Sequence, residues 1–120
     1  MNTIIEQSFS VPFKYPVCFS EDIFSLDNNL FVDLLSKERL SKVLFVIDKG
    51  VAVAHPQLVS QLNLYAKANS DSFTIACDPI IVIGGEDSKN DESVYKNIVE
   101  ATHLYGIDRH SYIAVIGGGA

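Results

Sequence analysis

Hydrophobic residues in this chain fall into short continuous runs that stop at turn-forming residues. The runs are residues 43–47, 80–83 and 111–116. Unbroken apolar runs of this length, rich in Val and Ile, are typical of parallel strands buried on both faces. Asp48, Lys49 and Gly50 follow the first run, and glycines follow the other two. The pattern therefore predicts three buried strands, each ending in a turn.

Between these runs the apolar residues recur at helical spacing. The three predicted stripes are Leu30, Phe31, Leu34 and Leu35; Leu58, Leu62 and Tyr65; and Val94, Ile98, Ala101 and Tyr105. Each stripe predicts one buried helix face. The polar cluster at residues 27–29 suits an N-cap and Pro56 suits a first helical turn, while Gly106 suits the position just past a helix end.

Residues 2–20 have the alternation of strands, most clearly over residues 13–19. Pro12 is placed at a bend between two paired strands, and Pro16 favours an edge position for the second. We therefore expect an N-terminal β-hairpin that covers one end of a sheet.

The predicted order of elements is hairpin, helix, strand, helix, strand, helix and strand. This order indicates an α/β fold, with a Rossmann-like, mostly parallel, three-layer sheet and an N-terminal β-hairpin. Residues 1–120 are expected to form one domain. If the strands are parallel, the turns at residues 48–50, 84–86 and 117–119 lie along one edge of the sheet, where α/β proteins bind ligands.

The composition of the chain limits the kinds of molecule that it is expected to bind. The chain has 120 residues, 48% of them hydrophobic, a formal charge of −6 and a pI near 4.8. Without clustered Lys and Arg, nucleic acid is not an expected partner. No apolar run approaches the roughly 18 residues of a membrane span, so no membrane partner is expected either. Two distant cysteines and an N-terminus unlike a signal peptide lead us to expect free thiols in the cytoplasm.

The residues of these turns are the candidates for binding a ligand. A carboxylate that ends a strand, such as Asp48 or Glu86, can accept hydrogen bonds from ribose hydroxyls, and Lys89 can add a positive charge near a phosphate or hydroxyl. Gly117, Gly118 and Gly119 would let bare backbone approach a pyrophosphate. The alternative for the charged residues is that they are solvated turn residues. For the glycines it is a tail without a ligand.

The order of these motifs resembles the N-terminal half of 3-dehydroquinate synthases. The resemblance covers about residues 40–120 and depends on residues 46–48, on residues 85–89 and on residues 107–120. It implies that NAD binds here: Asp48, Glu86 and Lys89 lie around the ribose, and Gly117, Gly118 and Gly119 lie under the pyrophosphate. The sequence differs from the family's pattern at two positions. Gly50 stands where family members often have Asn, and the Asp that follows the glycines in the family would lie beyond Ala120.

The resemblance also implies the activity of the parent enzyme. Such lyases of the shikimate pathway, which leads to aromatic amino acids, convert a seven-carbon sugar phosphate to 3-dehydroquinate with NAD and eliminate phosphate. A divalent metal, zinc or cobalt, and the substrate are held by a C-terminal domain that is absent here. We therefore expect residues 1–120 to be inactive alone and to bind NAD weakly. Exposure of the surface that meets the second domain would favour association of copies, such as a homodimer.

Two other interpretations remain open. One is a flavodoxin-like interaction module without catalysis. The other is part of a related polyol dehydrogenase that uses the same glycine turn. His55 is expected at the surface or as a capping residue, and no metal role is expected for it because no second His or carboxylate lies at ligand spacing. His103, Arg109 and His110 are expected to be solvated or at a helix end.

Overall fold

The computed structural model describes residues 2–83 and 92–118. The helices of this part are α1 (Leu30–Leu34), α2 (Lys49–Ala54), α3 (Leu58–Ala68) and α4 (Glu92–Leu104). The strands are β1 (Ser41–Asp48), β2 (Phe73–Ile75), β3 (Ile80–Val82) and β4 (Tyr112–Ile116). Mixed helices and strands around a parallel sheet confirm the predicted α/β class.

Strand β1 is the centre of the sheet, and its three neighbours all run parallel to it. Val43 pairs with both Ile75 of β2 and Tyr112 of β4, while Val46 pairs with both Ile80 of β3 and Val115 of β4. Because a strand has only two edges, β2 and β3 share one edge of β1 and β4 occupies the other. The predicted strand at residues 43–47 is thus the central one, and it is buried. The other two predicted strands are not buried on both faces, since Ile81 of β3 is 45% exposed and Val115 of β4 is 73% exposed.

One face of the sheet carries the main core. Alternate β1 residues Val43, Phe45 and Ile47 point toward α1 and α3 and form one buried cluster with them. Five aromatic rings fill this cluster, with neighbouring ring centroids 5.3–6.3 Å apart; they belong to Phe24, Phe31, Phe45, Tyr65 and Phe73. The core is therefore built on interlocking edge-on and tilted aromatic contacts.

The hydroxyl of Tyr65 is the polar part of this core. It donates a 2.8 Å hydrogen bond to the carbonyl oxygen of Asn28, ahead of α1. Burial raises the pKa of the Tyr65 hydroxyl. Tyr65 therefore ties α3 to the segment before α1 while its ring fills the core.

The opposite face of β1 is also covered. Leu44 and Val46 are buried although they point away from the aromatic core. Lys42, on the same side as these two, donates a 2.8 Å hydrogen bond from Nζ to the carbonyl oxygen of Tyr105. That contact places the end of α4 on this second face of the sheet.

Helix α4 ends as the sequence predicts. Gly106 has a positive φ of 66°, Gly106 N–H donates to the carbonyl oxygen of His103, and Ile107 N–H donates to that of Thr102. This pair of bonds is a Schellman motif, which satisfies carbonyl groups at the helix end and favours glycine at the left-handed position. The prediction for Gly106 is confirmed.

Three helix predictions need correction. The stripe predicted for α4 is not buried: Val94, Ile98 and Ala101 are half-buried, and Tyr105, just past the helix, is 39% exposed.

Helix α1 is one short turn, so Val32 and Leu35 are the buried residues and Leu34 is 48% exposed. The turn expected at residues 48–50 is instead the start of α2, which carries half-buried Val51 and Ala52 against the core. A glycine near the start of a short helix gives the same sequence signal as a turn.

The predicted N-terminal hairpin is not observed. Residues 2–20 are all exposed and contain neither helix nor paired strand, and the core begins only at Phe24. A hairpin of two strands is marginal in water unless a third strand or a packed layer supports it. No described part of the chain provides that support.

Candidate functional site at the carboxyl edge of the sheet

Asp48 and Gly117 lie side by side where β1 and β4 end. The last paired residues of the two strands are Ile47 and Ile116, so Asp48 and Gly117 come next in register. A β-carbon built on Gly117 would lie 3.6 Å from the β-carbon of Asp48. Asp48 also pairs with Val82, the last residue of β3. Three parallel strands therefore end together around Asp48.

The strands that follow β1 in the chain are first added on one side of β1 and then on the other, and this change of side occurs at the same point. From β1 the chain moves through α2 and α3 to β2 and β3 on one edge, and then through α4 to β4 on the other edge. The gap between the carboxyl ends of β1 and β4 is a topological switch point. Open α/β sheets bind their ligands at such points, because the two connections diverge and leave a crevice.

The carboxylate of Asp48 is available to a ligand. Asp48 is half-buried and is the N-cap residue of α2, but its side chain makes no capping hydrogen bond. Across residues 2–83 and 92–118, no hydrogen bond or ion pair involves that carboxylate. A half-buried carboxylate with both oxygens free is suited to accept two hydroxyl hydrogen bonds.

Glycines leave open space around this carboxylate. A β-carbon at Gly118 would meet no atom within 4 Å, and Gly117 and Gly118 are both exposed. A β-carbon at Gly50 would lie 3.1 Å from Oδ2 of Asp48, which is closer than carbon and oxygen normally approach. The lack of a side chain at residue 50, one of the two departures from the resembling family, therefore makes room for the observed position of the Asp48 carboxylate.

Three of the six residues of the predicted site, Glu86, Lys89 and Gly119, lie outside the described residues. The structure thus brings together Asp48, Gly117 and Gly118, and it places the end of β3 beside them. The other three residues of the predicted site stay predictions.

A second concavity lies at the opposite, amino edge of the sheet. It encloses about 240 Å³ between the segments that lead into β1 and β4, and Arg39, Arg109 and His110 line it together with Ser36, Glu38, Ser111 and Tyr112. The hydroxyl of Tyr112 accepts a 3.0 Å hydrogen bond from Ser36 N–H, which holds the two segments together. Sequence reasoning did not anticipate this pocket, because Arg39 and Arg109 are 70 residues apart and no single motif contains both.

The loop before β4 is fixed by Asp108. Its Oδ1 accepts hydrogen bonds from His110 N–H at 2.9 Å and from the hydroxyl of Ser111 at 3.2 Å. The His110 backbone hydrogen bond is the main cause that lowers the pKa of the Asp108 carboxyl. Arg109 and His110 are exposed, as expected, and Arg109 Nε donates to Nε2 of His110 at 3.1 Å. Asp108 is thus engaged in local turn structure, whereas Asp48 is not.

Within the described residues, His, Cys, Asp and Glu side chains form no group of three or more that could hold a metal ion.

Cys18 is an exposed free thiol and Cys77 a half-buried one. Burial, and secondarily the charge of Asp78, raises the pKa of the Cys77 thiol. No helix in the described part of the chain has the length and apolar character needed to cross a bilayer.

Comparison with known proteins does not assign the chain to a family: no family model, curated protein or solved structure matches it.

Proposed function

We propose that this chain is a dinucleotide-binding domain with a Rossmann-like, three-layer α/β architecture. The observation that supports the proposal best is the meeting of Asp48 with Gly117 and Gly118 at a switch point of the sheet. A free carboxylate can accept hydrogen bonds from ribose hydroxyls, and a glycine turn lets backbone N–H groups approach a pyrophosphate. The two features together therefore suit the ribose and the phosphates of one nucleotide.

Within that class, the particular assignment we propose is the NAD-binding part of a 3-dehydroquinate synthase-like enzyme. It is supported by the placement of the triple glycine after the last strand rather than the first, together with the Gly-Glu-x-x-Lys segment at residues 85–89. NAD, when bound, would supply reversible hydride transfer. The residues of this chain would bind the nucleotide and orient it: Asp48 and Glu86 through ribose hydroxyls, Lys89 through its charge, and the glycines through backbone N–H groups.

Catalysis is assigned to residues other than those described. The described residues that meet at this edge are Asp48, Gly117 and Gly118, and binding is the role proposed for residues 1–120. In the proposed parent enzyme, phosphate elimination and ring closure would use the metal and substrate residues of a second domain.

Calorimetric titration with NAD tests the proposal. Asp48→Ala removes the carboxylate, and Asp71→Ala is the matched control because Asp71 is an exposed Asp in the turn before β2, at the amino edge. We expect the unmodified chain to bind NAD with a dissociation constant weaker than about 1 µM, since a ligand shared between two domains loses half its burial here. Losing hydrogen bonds to a charged acceptor costs about 1.5–3 kcal/mol, so Asp48→Ala should weaken binding about 10- to 100-fold.

The control decides what the titration means. Asp71→Ala should bind NAD as the unmodified chain does, since both variants change the net charge equally. Equal effects of the two substitutions, or no binding of NAD by the unmodified chain at millimolar ligand, would refute the proposed site. Binding at micromolar affinity or better would show that the cleft is already complete in this chain.

A further inference from the structure

The concavity at the amino edge of the sheet is lined by both arginines of the chain. Arg39 precedes β1 and Arg109 precedes β4, and these are the only two arginines among the 120 residues. The parallel pairing of β1 with β4 brings them to the same space of about 240 Å³, because strands that run the same way begin at the same edge. We call this concavity the arginine pocket.

The two segments that carry the arginines are each held on both sides. On the first segment, Ser36 N–H donates to the hydroxyl of Tyr112 at 3.0 Å. Ser41 N–H, on the other side of the first arginine, donates to the carbonyl oxygen of Ser72 at 3.1 Å. The second segment is held by Asp108, whose carboxylate accepts two hydrogen bonds within the turn, and by the pairing of β4. A ligand would therefore meet backbone that is already ordered, which lowers the entropic cost of binding.

The guanidinium groups of the arginine pocket have no carboxylate partner. Across residues 2–83 and 92–118, the one ion pair joins Lys37 to Asp33, and no hydrogen bond involves the Arg39 side chain. Arg109 uses Nε on His110, which leaves both terminal nitrogens of its guanidinium unpaired among these residues. An arginine cannot lose its charge in a protein. The pocket therefore holds two positive charges that no described carboxylate contacts.

Other lining groups add hydrogen-bond donors. The hydroxyls of Tyr112 and Ser36 each accept a backbone N–H, and neither hydroxyl hydrogen has an acceptor in the described part of the chain. His110 accepts the Arg109 bond at Nε2, so its neutral imidazole carries the proton on Nδ1. Glu38 is the acidic residue of the lining. Donors therefore outnumber acceptors, and two positive charges face one negative charge, which suits an anionic ligand.

We propose that the arginine pocket binds the phosphate group of a small phosphate monoester. Such a group offers three acceptor oxygens and a charge of about −1.5 to −2 at pH 7, which matches two guanidinium groups and the hydroxyl donors beside them. A carboxylate has one charge and two oxygens, and a single arginine satisfies it. The pocket, at about 240 Å³, is smaller than the roughly 300–1,000 Å³ of sites for drug-sized ligands, so it suits a phosphate with few attached atoms.

The arginine pocket is separate from the proposed NAD site. Tyr112 lines the pocket at the start of β4, and Gly117 follows the end of that strand at the other edge of the sheet. Five residue steps of about 3.3 Å place the two roughly 16 Å apart along the strand. The phosphates of NAD are linked on both sides and carry one charge each, so a doubly charged monoester is the better ligand for two arginines. The two sites can therefore be tested independently.

Titration of the ¹⁵N-labelled chain with glycerol 3-phosphate tests the proposal, with glycerol and acetate as comparison ligands at the same ionic strength of about 0.15 M. We expect saturable shifts at Arg39 and residues 109–112, none with glycerol, and at least tenfold weaker binding of acetate. Acetate that binds as tightly as the phosphate would overturn the proposal. So would shifts confined to Asp48 and Gly117, or no saturable shift up to about 10 mM glycerol 3-phosphate.

Matched charge variants identify the residues responsible. Arg39→Gln and Arg109→Gln should each weaken binding of glycerol 3-phosphate at least tenfold, whereas Lys96→Gln, which removes an exposed positive charge from α4, should not change it. Glu38→Gln should tighten binding several-fold, and Glu100→Gln, on α4, should not. These side chains are all exposed, so each variant should keep the amide spectrum of the folded chain outside the substituted region. Equal effects of the arginine and lysine substitutions, or unchanged binding in both arginine variants, would refute the site.

Discussion

Gly50 lies next to the carboxylate of Asp48, so that a β-carbon at residue 50 would be 3.1 Å from Oδ2. The first turn of α2 therefore packs closely against the end of β1. The position of the carboxylate depends on Gly50, which the sequence analysis placed in a turn and noted as a departure from the frequent Asn of the similar family.

The first prediction compares two glycines. Gly50→Ala should leave the free energy of unfolding unchanged or raise it by up to about 1 kcal/mol, because Ala is the better helix former. It should weaken NAD binding several-fold, since the Asp48 carboxylate must move. Gly106→Ala should do the reverse: its φ of 66° is costly for Ala, by about 1–2 kcal/mol, and it lies far from the proposed site.

Urea denaturation and NAD titration of both variants provide the measurement. If Gly50→Ala lowered stability as much as Gly106→Ala and left NAD binding unchanged, the proposed role of the space above Gly50 would be wrong.

The second prediction concerns two phenylalanines. Phe45 has no exposed surface and contacts the rings of Phe24 and Phe31. Phe45→Ala should cost about 3–5 kcal/mol, a large share of the ~5–15 kcal/mol that stabilises a domain. Phe19, which is 96% exposed, serves as the control: Phe19→Ala should change the stability of the monomer by less than about 0.5 kcal/mol. Thermal unfolding at low protein concentration distinguishes them, and similar losses for both would contradict the core described above.

The third prediction follows from Tyr65. Because burial raises its pKa in the folded state, the folded chain holds the phenolic proton more tightly than the unfolded chain does. The resulting stabilisation is complete below the unfolded pKa of about 10 and is lost as pH rises through the folded pKa. The free energy of unfolding should therefore fall above pH 10.

Tyr65→Phe isolates this contribution. It should cost about 1 kcal/mol at pH 7 through the lost hydrogen bond to Asn28, and the difference from the unmodified chain should shrink as pH rises above 10. Urea denaturation of the unmodified chain and of Tyr65→Phe from pH 7 to 11 measures this difference, and a constant difference would contradict the assignment.

Local signals predicted much of this fold. The run at residues 43–47 identified β1, Leu62 and Tyr65 identified the buried face of α3, and Gly106 marked the end of α4, since each depends on a residue and its near neighbours. The parallel order then followed from the alternation of helices and strands, and it brought Asp48 to Gly117.

Other features depend on distant parts of the chain. Leu34 has the spacing of a core residue but is exposed, because α1 ends before another turn can form and Leu35 fills the core instead. The N-terminal alternation predicts strands, but residues 2–20 form no paired strand, because pairing depends on a partner that the local sequence does not specify. The pocket at the amino edge arises where two separate loops meet, and no single stretch of sequence records it.

The central claim is that NAD binds between the carboxyl ends of β1 and β4. Titration of the ¹⁵N-labelled chain with NAD, followed through its backbone amide resonances, tests this most directly. We expect the largest shifts at Asp48, Lys49 and Gly50 and at Gly117 and Gly118. Shifts confined to Arg39 and residues 109–112 at the opposite edge, or no shifts at saturating NAD, would contradict it.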